Sequence, residues 1–167
     1  MKYLSILFLI FSFLSSAQRV EFKDPDLTFS FIKPDNWMMN DGLTVFVIPD
    51  DESFENPSIF FSITYFESPI SEEVSENIFH VNEIESSISS DLLEFDPYEE
   101  GKEYIADEVA MWTSYFHTQA DVRLKAVSYI FMKLDQRFEV TISAPVTKYD
   151  EFEPQFQSML KSISIKE

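Results

Sequence analysis

Apolar and polar residues alternate with a period of two across Phe138, Val140, Ile142 and Ala144, interleaved with Arg137, Glu139, Thr141 and Ser143. That is the pattern of a half-buried strand. Arg123 to Leu134 runs into it through Asp135-Gln136, which predicts a hairpin. Further on, Phe152, Phe156, Met159 and Leu160 recur at helical spacing and form a core-facing stripe, followed by a short apolar end, Ile163-Ser164-Ile165. Upstream, the same rules give strands over Thr28–Lys33, Leu43–Ile48, Ser58–Phe66 and Val109–Thr118, with Glu103–Ala106 as weak strand or loop. Ser71 to about Phe95 is predicted to be a long helix. Ser71 is its N-cap, Glu72 and Glu73 favour the positive end of its dipole, and Val74, Ile78, Val81, Ile84, Ile88 and Leu92 form its stripe. Asp96-Pro97 is expected to stop it.

A run of strands, a helix, a second run of strands and a closing helix define an α+β class. Short connections between the later strands predict a mostly antiparallel sheet with two main helices. Met1 to Ala17 reads as a signal peptide: Lys2 supplies the charged start, Tyr3 to Leu14 the apolar run, and Ser15-Ser16-Ala17 the small residues before a cut at Gln18. Residues 18–27 are expected to be a polar lead-in and residues 28–167 one α+β domain. The expected localisation is therefore exported, periplasmic or extracellular, with no stable membrane span after cleavage.

Charge narrows the partners. Thirty acidic residues against 12 basic ones give a formal charge of −18, which repels nucleic-acid backbones and anionic lipid surfaces. The absence of Cys removes thiol catalysis and cysteine metal ligation. With two glycines, Gly42 and Gly101, the chain has no phosphate-cradling loop and no Gly-x-Ser-x-Gly elbow.

The two histidines, His80 and His117, lack the spacing of a metal pair or a triad. The loop Asp50-Asp51-Glu52 to Glu55 offers oxygens for a cation but not the alternating order of a calcium loop, so a solvated acidic loop is expected. No catalytic, cofactor or metal residues are assigned. What stands out is an aromatic surplus of 18 Phe, 7 Tyr and 2 Trp. Either helices cover both faces of the sheet or some of these rings line an open groove. Trp112, Tyr115 and Tyr129 are the candidate partner-binding residues, on the expectation that they lie on an exposed sheet face.

Three stretches resemble the PsbP-like superfamily, the group of PsbP and the DcrB-like envelope proteins. Phe29-Ser30-Phe31-Ile32-Lys33-Pro34-Asp35-Asn36-Trp37 is similar to its opening strand and Pro-x-x-Trp turn. Arg137-Phe138-Glu139-Val140-Thr141-Ile142 resembles a late strand, and Phe152 to Ile165 resembles the closing helix with its Leu-x-Ser-Ile finish. The resemblance implies an α/β/α sandwich around an antiparallel sheet. It also implies accessory, scaffolding or chaperone roles, and it carries over no catalytic residue. The expected function is a secreted or periplasmic non-enzymatic module holding a protein or peptide partner of the cell envelope, without cofactors. Small apolar-ligand or metal binding, and a hydrolase using paired carboxylates, are the alternatives.

Overall fold

The computed structural model describes residues 17–23, 27–40, 42, 44–66 and 92–167. Its strands are β1 (Ala17–Lys23), β2 (Thr28–Pro34), β3 (Trp37–Asn40), β4 (Thr44–Pro49), β5 (Phe60–Phe66), β6 (Leu93–Ile105), β7 (Glu108–Gln119), β8 (Val122–Lys133), β9 (Gln136–Pro145) and β10 (Ser164–Lys166). The helix α1 (Tyr149–Lys161) lies between β9 and β10.

Two antiparallel sheets form: a seven-stranded one ordered β3-β4-β5-β9-β8-β7-β6, and a three-stranded one ordered β1-β2-β10. The larger sheet joins the β3-β4-β5 meander to the β6-β7-β8-β9 meander through β5 and β9, with Phe61 opposite Ile142 and Ile63 opposite Val140. Its inner face carries Val45, Val47, Phe61, Ile63, Val127, Phe131, Phe138, Val140 and Ile142, all buried. The small sheet and α1 close over that face. Phe31 meets Phe61 at 5.5 Å between ring centroids, and Phe29 meets Tyr65 edge-on at 5.8 Å. From the helix, Phe152 and Phe156 each place a ring edge 5.9 Å from Trp37. Such aromatic pairs add to the burial of apolar area, the main term holding the two layers together.

Several expectations change. The lead-in is a strand: residues 18–23 belong to β1, which pairs along all of β2, because Val20 and Phe22 set inward rings and methyls against the core. The described residues contain one helix, not two. Most of the predicted helix, residues 71–91, lies outside the described residues, and its last three, Leu93 to Phe95, are strand. Asp96-Pro97 does not terminate an element but sits inside β6, where the register shifts between Leu93 and Asp96 and again between Pro97 and Glu99. An edge strand with bulges tolerates a residue that has no N–H to donate. Trp37 also begins a strand, β3, too short for alternation to be visible in the sequence.

The three hairpin turns of the second meander put both central residues in the left-handed region: Ala106 and Asp107, Ala120 and Asp121, Leu134 and Asp135, all with φ between 47° and 66°. That is the backbone of a two-residue hairpin whose twist matches its strands.

Candidate functional site

The far face of the seven-stranded sheet has a different chemistry from the inner one. Register places Phe46, Ser62, Thr141, Ser128 and Thr113 in one row across β4, β5, β9, β8 and β7. Thr44, Thr64, Glu139 and Ile130 form the row beside it. Small hydroxyl side chains thus floor the centre of the face. Phe46 and Phe60, edge to face at 5.8 Å, rise on one side, and Tyr115 and His117, 5.8 Å apart, on the other. The result is a trough of about 340 Å³.

Hydrogen bonds run along this floor. Thr44 and Thr64 hydroxyls lie 2.8 Å apart, those of Ser128 and Thr141 2.9 Å, and the Tyr115 hydroxyl is 3.1 Å from Ser128 Oγ. His117 is 4% exposed, and its Nδ1 has no hydrogen-bond partner. Burial, with a smaller contribution from the Arg123 guanidinium, lowers the His117 pKa, so the ring is neutral at neutral pH. Burial also raises the Tyr115 pKa, only partly opposed by the bond to Ser128. Glu139 is held by the Arg137 guanidinium. No hydroxyl reaches His117 Nδ1, Tyr115 keeps its proton and Glu139 is paired, so no nucleophile–base contact is formed by these residues.

Trp112, Tyr115 and Tyr129 do not share an exposed face. Trp112 and Tyr129 are direct cross-strand partners, whereas Tyr115 pairs with Ala126 and points to the other side. Both tyrosines are buried, Tyr129 under α1, where burial and the Glu103 carboxylate push its pKa well above the usual range. Trp112 is half-buried over Gly101 of β6. It therefore borders the second notable feature, the β6 edge.

β6 has 13 residues, is paired on one side with β7, and pairs with no described strand on the other. Its bulged start is tied down by Arg123, which donates to the Glu94 carbonyl at 2.9 Å and to Asp96 at 3.2 Å. From Glu99 to Ile105 the register is regular. Tyr98 stacks on Phe116 at 4.7 Å, Tyr104 is 77% exposed, and Glu99 and Glu100 face solvent.

In the acidic loop after β4, the Glu52 carboxylate accepts from Ser58 N at 3.0 Å and Ser58 Oγ at 2.9 Å, so it braces the loop. Gln119 Nε2 fastens the loop to β7 through Asn56 Oδ1 at 2.7 Å and the Pro57 carbonyl at 3.0 Å. Among the described residues, no three His, Asp or Glu side chains converge as a metal site would require. His80 lies outside the described residues.

Hydroxyl-rich positions such as Ser128, Thr141 and Ser143 were the signal for the trough. Alternation alone assigns them to solvent, but small uncharged hydroxyls, unlike lysines or glutamates, can be buried once bonded to each other.

The fold is PsbP-like. Over 92% of this chain and 94% of that one, it is similar to the solution structure of cyanobacterial PsbP (CyanoP) from Synechocystis sp. PCC 6803, with a TM-score of 0.60 and 12% identity. It is also similar to LpqN, a protein of Mycobacterium tuberculosis involved in cell envelope biogenesis, with a TM-score of 0.64 and 10% identity over 90% of this chain and 92% of that one. PA94 from Pseudomonas aeruginosa, a protein of unknown function, matches with a TM-score of 0.55 at 12% identity, over 86% and 94% of the two chains. No family model and no curated protein sequence matches the chain. At such identities the likeness is one of fold. No described helix is long and apolar enough to cross a membrane.

Proposed function

We propose that this chain is an exported, non-enzymatic accessory module that holds a protein partner of the cell envelope along the edge of β6. The observation that carries the reading is a strand at the edge of the described sheet, regular over Glu99 to Ile105 and paired with no described strand on one side. Such an edge can take an extended segment as an added strand, main chain to main chain. Glu99, Glu100 and Glu103 would favour a segment rich in Lys or Arg, while Tyr104 and the half-buried Trp112 offer rings beside it. The apolar leader Tyr3 to Leu14 supports export. The fold shared with an envelope-biogenesis protein supports an accessory role.

A photo-crosslinking residue placed at Tyr104 tests this, with the same residue at Lys166 of β10 as the control. A reproducible envelope protein should be captured from position 104 and not from 166. Its capture should drop at least tenfold with Glu99→Lys and Glu100→Lys together. Equal capture from both positions, or capture indifferent to charge reversal, would count against the edge.

A further inference from the structure

We infer that the far-face trough is a second site, separate from the β6 edge, for a small uncharged ring compound carrying a hydroxyl. Its volume of about 340 Å³ lies near the lower end of the ~300–1,000 Å³ typical of small-molecule pockets. Its walls are apolar rings, Phe46, Phe60 and Tyr115, with Ile130 between them, which suits a flat apolar body.

The polar requirement comes from His117. The residue lines the trough, and its buried Nδ1 has no hydrogen-bond partner. An unsatisfied buried nitrogen costs about 1–3 kcal/mol, a penalty that a bound hydroxyl would remove. A hydroxyl both donates and accepts, so it serves either tautomer of the ring. Two more orphaned hydroxyls, Thr113 Oγ1 and Ser143 Oγ, belong to the same face. That face is short of polar partners, whereas the inner face is filled by apolar side chains.

Charge sets the rest of the selectivity. The trough's carboxylate, Glu139, is already matched by Arg137 and has no call for a cation. No cationic side chain lines the cavity among the described residues, so an anion would enter without a counter-charge. A neutral ligand is what remains.

The test is titration of the full chain, followed by NMR, with four probes built on one benzene ring: phenol, toluene, benzoate and benzylamine. Phenol should perturb resonances of His117, Ser128 and Thr141 and should bind about tenfold more tightly than toluene, the worth of one net hydrogen bond. Benzoate and benzylamine should both bind more weakly than phenol. In His117→Phe, which keeps a ring of similar size, the advantage of phenol over toluene should vanish while toluene binding persists. The wild-type shift map stands as a separate readout should that variant fold poorly. Toluene matching phenol, a charged probe binding best, or shifts scattered away from the trough would overturn the inference. So would the absence of binding by every probe at millimolar concentration, the result expected if water or residues 67–91 of the same chain occupied the trough.

Discussion

Gly101 is where a single missing atom matters most. A Cβ built there would lie 2.6 Å from Cζ2 and 2.8 Å from Cε2 of Trp112, far inside contact distance. The indole lies across the β6 backbone because its cross-strand neighbour has no side chain, an arrangement that covers an otherwise bare edge residue. Gly101→Ala should therefore displace Trp112 and cost about 1–3 kcal/mol, as overpacking does elsewhere. The check is a shift in tryptophan emission together with a lower urea midpoint; an unchanged spectrum would mean that the ring does not rest on Gly101. Residue by residue, the inner core was legible: Phe138, Val140 and Ile142 face inward as alternation requires. The site was not. Alternation within Val109–Thr118 already sets Trp112 and Tyr115 on opposite faces, but which of the two Tyr129 joins emerges only once the pairing with β8 is known.

At the scale of elements, β7, β8 and β9 were read within a residue of their bounds, and the stripe from Phe152 to Leu160 falls inside α1. Each is long enough for its period to show. β6 was misread because Asp96-Pro97 is a stop signal for a helix and also an ordinary bulge on an edge strand; local sequence does not distinguish them. The hairpin between β8 and β9 was read, but its turn was placed one residue late, at Asp135-Gln136, because the turn residues carry no distinctive signal. Ala106-Asp107, Ala120-Asp121 and Leu134-Asp135 hold left-handed φ values without the Asn-Gly pair that normally marks such hairpins. Every Cβ in that region is under steric load, roughly 1–2 kcal/mol per residue in the general case. Replacing Ala120→Asn with Asp121→Gly should thus stabilise the protein by about 1 kcal/mol, raising the melting temperature by ~2–4 °C for a chain of this length. Calorimetry on the double variant decides it, and a fall in melting temperature would show that the present residues make compensating contacts.

At the largest scale, the described residues form two sheets closed around one core, and β10 is part of the closure. β10 pairs with β2, burying Ile163 and Ile165, while the Ser162 hydroxyl accepts from Ile32 N at 2.7 Å. Truncation after Lys161 should remove about 3–6 kcal/mol, taking ~1.5–3 for each buried isoleucine. That is much of the ~5–15 kcal/mol typical of a domain. Equilibrium denaturation should show a much earlier midpoint, and a midpoint equal to that of the intact chain would contradict the packing described. β1 and β10 take the two edges of β2, so segments far apart in the sequence are joined through one strand. Until β10 docks, one edge of the small sheet's central strand lacks its partner. Docking β10 closes a loop of more than 130 residues, from Ser30 to Ser164, and long-range closures of that kind slow folding.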